Sequence, residues 1–209
     1  RIAVKYGDMS GYTAQALASA AGGTAPSAPN ATGSAGANGT VVFYNDAEDK
    51  VLDLNSGSDM AGTYDLVSFS LNSAYVRVNN HTTIATDSLT STGTNYFVCQ
   101  STNYDLSITI RSAGAKDLSN LKVYNCRDVT ITTGEEAISD PSTSMNFSSA
   151  LFQNHATVTL PIPAGGSDFT SAQFLYNRGD IKIEAPVGSP AALNLTSATF
   201  GGSSSGNKD

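Results

Sequence analysis

Residues 118–133 read LSNLKVYNCRDVTITT, and the fold turns on how this stretch is understood. Val129 and Ile131 flank Thr130, the period-two signature of a strand with one face buried. Short strands broken by an Asn-bearing turn suit the coils of a β-helix. The same run also suits two strands of an antiparallel sandwich. A β-helix is expected to betray itself by a repeat of fixed period. None is visible, so the sandwich is the first expectation and the β-helix the alternative.

The alternation extends outward from this stretch. Leu106, Ile108 and Ile110 repeat it, as do Val67, Phe69 and Leu71, and Val158, Leu160 and Ile162. Ala74, Val76 and Val78 follow the same rule, and Ile181 and Ile183 flank Lys182. Turn signals such as Asn79-Asn80, Ala113-Gly114, Asp140-Pro141 and Gly165-Gly166 recur every ~8–12 residues. The expectation is an all-β, antiparallel β-sandwich over 40–200, of jelly-roll or immunoglobulin-like layout. Residues 201–209 are an expected flexible tail.

Residues 1–39 differ in character. Ile2, Val4 and Tyr6 alternate with Ala3 and Lys5, as in a short strand. Residues 12–21, YTAQALASAA, predict a short helix, and 22–39 read as a Gly/Ala/Ser linker. A lone strand has no ladder to join. A neighbouring subunit's sheet edge would supply one, making Ile2, Val4 and Tyr6 an assembly arm.

Composition narrows the function classes. Hydrophobic residues are 40% of the chain, enough for a sizeable core, while charged residues are only 14%. The net charge is −7, and the 11 Lys and Arg are scattered, which disfavours nucleic acid and anionic lipid as partners. No apolar run reaches the ~20 residues that span a bilayer. Cys99 and Cys126 both sit in strand-like segments, and a disulfide between them would stabilise by about 3 kcal/mol.

Candidate chemistry is sparse. His81 and His155 are the only histidines, and both read as polar turn residues. Glu135 and Glu136 are adjacent, so a strand would point them to opposite faces. The run Gly202-Ser203-Ser204-Ser205-Gly206 matches a nucleophile elbow but lacks the flanking strand and helix. Asp53, Asn55 and Asp59 faintly follow a calcium loop, with glycine one position early and Tyr64 where a bidentate Glu belongs. Calcium is thus the one cofactor the sequence leaves room for. Arg178, Gly179 and Asp180 form an RGD tripeptide at an expected hairpin tip, a candidate receptor turn. The N-x-S/T sequons at Asn30, Asn38, Asn80, Asn146 and Asn194 are about as many as chance supplies here. Trp is absent, which weakens a sugar-binding platform, although Tyr and Phe can serve.

The expected function is therefore a non-enzymatic, self-assembling structural subunit that is extracellular, cell-surface or virion-borne. A viral coat, decoration or tail-associated protein comes first. A cell-surface filament or pilus subunit and a carbohydrate- or receptor-binding adhesin module are the alternatives. Expected partners are other copies or companion structural proteins. A β-helical polysaccharide-degrading enzyme is a further class, and it requires two or three carboxylates gathered in a cleft.

Overall fold

The structure is a computed structural model that describes residues 2–6, 40–45, 50–54, 57–175, 179–185 and 191–201, with side chains placed from Val51 onward. It overturns the antiparallel sandwich. The strands stack in parallel as a β-solenoid of about six turns, so the β-helix alternative is the architecture.

Each coil contributes to three sheets. The first holds segments 57–60 and 75–78, then Asn95–Cys99, Leu121–Tyr124, Leu151–Gln153, Gln173–Leu175 and Thr199–Gly201. The second holds 62–66 and 82–86, then Leu106–Ile110, Val129–Thr133, Val158–Pro161 and Ile181–Glu184. The third begins with Lys50–Leu54 against 68–71 and 88–91. Further along the chain, Ala115–Asp117, Ser144–Asn146, Ser167–Asp168 and Leu193–Asn194 form a four-stranded parallel ladder. The two longest strands, Gly57–Asn72 and Tyr75–Thr92, run 16 and 18 residues and so pass through all three sheets, with one register shift between Met60 and Gly62.

Alternation now has a simple consequence. Inward side chains of one coil lie on inward side chains of the next. Val76, Phe97, Val123, Phe152 and Phe174 form one such column, and Ile84, Ile108 and Ile131 another, all essentially inaccessible to solvent. Phe152, Phe174 and Phe200 stack with centroids 5.4 and 5.0 Å apart.

The corners explain why the strands do not reverse. At one recurring corner a single residue is left-handed in each coil: Ser73, Gly93, Asn120, Ser149, Ser171 and Ser197, with φ between 49° and 69°; Asn125, Gly62, Gly114 and Gly166 take positive φ at other bends. A tight hairpin of the commonest type needs two consecutive positive-φ residues. A single one turns the chain through a corner and lets it continue around the coil. The turn signals were thus real, but they mark bends rather than reversals.

A repeat does exist. DLSNLKV (117–123), NFSSALF (146–152), DFTSAQF (168–174) and NLTSATF (194–200) are four versions of one corner. In each, the leading Asp or Asn accepts a hydrogen bond from the backbone N–H two residues on: Ser119, Ser148 and Thr170 at 2.9 Å, and Thr196 at 3.1 Å. The next residue points inward, the fourth is left-handed, and the fifth returns to the core. Coil length hides this repeat. Thr92 bonds to Asn72, 20 residues back, whereas the Thr157 N–H bonds to Asp128, 29 residues back. The longest coil carries the short helix α1 (Glu135–Ser139) as an insertion.

The N-terminal strand is not isolated. Ile2, Val4 and Tyr6 register in parallel with Val41, Phe43 and Asn45 of Thr40–Asn45, which runs antiparallel to Lys50–Leu54. One edge of the arm strand therefore finds its ladder within the chain, and its other edge is the end of the sheet. The expected helix at 12–21, the linker at 22–39 and the tail beyond Gly201 lie outside the described residues.

Cys99 and Cys126 form a disulfide across successive coils, with Cα atoms 5.0 Å apart. Replacing both by Ser is expected to lower unfolding free energy by about 3 kcal/mol, read from urea midpoints of the oxidised protein and the variant. Ser149 is exposed and left-handed (φ 55°). Ser149→Gly should raise stability by up to about 1 kcal/mol, and Ser149→Val should lower it, in the same assay.

Candidate functional site

The outer face of the first sheet is the most aromatic surface of the rod. Outward positions alternate with the buried column, which places Tyr75 beside Tyr96 in register and Tyr124 diagonally beyond. Ring centroids are 5.8 Å apart for Tyr75–Tyr96 and 6.5 Å for Tyr96–Tyr124, the latter nearly parallel at 12°. Crowding has electrostatic effects. Burial and the neighbouring Tyr96 push the Tyr124 phenol above its ordinary pKa. Burial also holds the Lys122 ammonium below its ordinary value, and its Nζ donates to the Ser149 carbonyl at 2.7 Å.

At the rim of this sheet the surface opens. The register partner of Tyr75 is Gly57, on the first strand of this face, and a Cβ built there meets no described residue within 4 Å. Tyr75 is accordingly 44% exposed. Two residues along, the register pair Asp59 and Arg77 forms an ion pair at 2.7 Å.

Two charged clusters brace the corners. The Arg111 guanidinium lies between Asp65, at 2.5 Å, and Asp87, and its Nη2 donates to the Leu66 carbonyl at 2.9 Å. Hydrogen bonds to these two carboxylates raise the Arg111 pKa. At another corner Arg127 donates to Asp105 at 2.6 Å and 2.9 Å, and Asp105 also holds His81 at 2.9 Å. Guanidinium groups hold carboxylates through charge-assisted hydrogen bonds, stronger than neutral ones. Each cluster links residues of successive coils, as a brace would.

The far end of the rod is different again. The final coil repeats the corner of interior coils, yet Phe200 is 52%, Leu193 41% and Leu195 39% exposed. Their counterparts in earlier coils are buried: Phe174 for Phe200, Ser167 and Met145 for Leu193, and Phe169 and Phe147 for Leu195. A shallow groove beside this end, on the outer face of the third sheet, is lined by Ser144, Asn146, Gly165, Gly166, Asp168 and Asn194. Its amides are already committed: Asn146 Nδ2 donates to Asp117 at 3.1 Å and Asn194 Nδ2 to Asp168 at 3.0 Å.

The residues singled out in the sequence fall into place unevenly. Asp53 lies in Lys50–Leu54, Asn55 is outside the described residues, and Asp59 is paired with Arg77. Among the described residues no three His, Cys, Asp or Glu side chains gather as metal ligands. Within the RGD tripeptide, Arg178 lies outside the described residues. Gly179 is needed for close approach rather than a positive φ: a Cβ there would sit 2.7 Å from the Ala156 carbonyl carbon. Asp180 occupies the corner column of Asp128 and Thr157, with its carbonyl accepting from Val158 N–H at 2.9 Å. Two sequons are corner residues, Asn146 and Asn194, and in Asn80 the side chain accepts from the His81 N–H at 2.8 Å. Glu135 and Glu136 open the short helix, and the His155 N–H caps the Cys126 carbonyl. The tyrosine face was missed because Tyr75, Tyr96 and Tyr124 are neighbours only in solenoid register.

No described helix is long and apolar enough to cross a membrane. No protein-family model matches the chain, and no curated protein or solved structure shows significant similarity to it.

Arg111 is 40% exposed in its side chain, and its partners Asp65 and Asp87 are 62% and 50% exposed. Solvent screening therefore limits its worth. Arg111→Met should cost about 1 kcal/mol in thermal denaturation, with the deficit shrinking in roughly 1 M NaCl.

Proposed function

We propose that this chain is a non-enzymatic, structural segment of an extracytoplasmic filament or adhesin: a rigid β-solenoid rod whose C-terminal coil stacks on a further coil. The observation that carries this reading is the exposed apolar face of the coil that runs to Gly201, which no described residue covers. Solenoid ends ordinarily need an atypical, polar capping unit for solubility. Here residues 194–200 keep the interior pattern, and Phe200 stacks on Phe174 at 5.0 Å while presenting its other side to solvent. A second copy, meeting the first end to end, would cover it.

Other features support the setting. The Cys99–Cys126 disulfide fits an oxidising compartment. The surface is polar but carries little charge, which suits contact with neighbours more than electrostatic capture of nucleic acid. The charged clusters link adjacent coils, which favours a structural role over hydrolysis. A spherical coat built from jelly-roll units loses its basis with the sandwich.

The test is association. In size-exclusion chromatography with light scattering, the chain should shift from monomer to dimer or longer species over roughly 1–200 μM, a range typical of modest interfaces. Phe200→Asp should hold it monomeric with its far-ultraviolet circular dichroism unchanged. A mass that stays monomeric throughout, or association that Phe200→Asp leaves intact, overturns the proposal.

A further inference from the structure

We infer that the rim of the first sheet, built by Gly57, Asp59, Tyr75 and Arg77, is a binding site for neutral carbohydrate. Sugar rings bind through two features used together. An aromatic face accepts the apolar C–H face of a pyranose, and planar polar groups beside it accept and donate hydrogen bonds to the hydroxyls. Both occur here within one register step.

Among the described residues, Tyr75 has a ring neighbour on one side only. Tyr96 packs at 5.8 Å with a 36° tilt, and the other side looks over the edge strand at Gly57. Any larger residue at 57 would cover the ring, as Tyr96 covers it from the opposite side. Glycine leaves a notch as deep as a missing side chain, and a Cβ there would touch no described residue. The notch is therefore not imposed by packing, unlike Gly179, whose Cβ would strike the neighbouring coil.

Asp59 and Arg77 close the other side of the notch. They project from the same face two residues along each strand, and side chains two apart on a strand point the same way. Their side chains are 35% and 51% exposed, so the pair is reachable by a ligand lying over Gly57. The charges at 2.7 Å compensate one another locally. That balance, in a chain of net charge −7, favours a neutral sugar over an acidic one. Tyr96 and Tyr124 extend the aromatic surface along the rod and give a longer chain further contacts.

The site stands whether or not rods join through their C-terminal ends, because it lies at the opposite end of the solenoid. The test uses the whole chain in native gel electrophoresis through separate gels containing a neutral β-glucan, a neutral galactomannan or a neutral xylan, with alginate as the acidic control. At least one neutral polysaccharide should retard the protein, and alginate should not. Tyr75→Ala and Gly57→Leu should each weaken the retardation by about tenfold, equivalent to losing one good stacking contact. Tyr75→Trp should keep it. Gly57→Leu meets open space, so thermal melting should match that of the parent. Absence of retardation by all three neutral polymers overturns the inference, as does retardation that survives Gly57→Leu and Tyr75→Ala or that alginate alone produces.

Discussion

Register between successive coils is the constraint on which the rest of this molecule depends. Parallel strands stack at ~4.8 Å, so any outward or inward position meets its own counterpart in the next coil. Like must therefore tolerate like. Phe152, Phe174 and Phe200 satisfy this by offset stacking, Ile84, Ile108 and Ile131 by branched interdigitation, and the Asp and Asn corner residues by sharing hydrogen bonds. Carboxylates brought close on neighbouring coils need a compensating cation, which Arg111 of the following coil supplies to Asp65 and Asp87. The low charge of the chain follows naturally from a fold that multiplies every side chain along its axis.

Much of the local structure was legible in the residues. The strands at 106–110, 129–133, 158–161 and 181–184 were each expected from alternation, and they fall on strands of the solenoid. Their arrangement was not legible by the same means. Alternation is a property of one strand and a buried face, and both a sandwich and a solenoid supply that. The deciding signal lay in the corners. DFTSAQF and NLTSATF differ at positions that the corner leaves free and agree where it is demanding: an Asx acceptor, an inward apolar residue, a left-handed Ser and a small inward Ala. A search for fixed spacing fails because insertions such as the helix Glu135–Ser139 lengthen individual coils without disturbing the corners.

Candidate sites were legible to a smaller degree, for a related reason. Several of the short motifs visible along the chain fall on the corners of coils. The sequons at Asn146 and Asn194 exist because an Asx turn wants Asn followed two residues later by a hydroxyl residue. The Gly-Asp of the RGD tripeptide exists because one coil must approach Ala156 and then start a strand. Conversely, the tyrosine face has no linear signature. Tyr75, Tyr96 and Tyr124 lie on different coils, and only register brings them together.

The two ends of the rod obey different rules, and this gives the molecule a direction. At the N-terminal end, Thr40–Asn45 pairs antiparallel with Lys50–Leu54, and Ile2–Tyr6 adds a further strand in parallel. An antiparallel partner breaks the coil-to-coil register, so the stacking rule that governs the interior stops there. Leu52 and Leu54 beneath it are buried. At the C-terminal end the register runs on unbroken to Gly201, and the apolar column surfaces at Phe200. One end terminates the pattern and the other offers it. Under the proposed reading, the outward-facing site lies near the closed end and the attachment at the open end, so that binding and anchoring would not compete for the same surface.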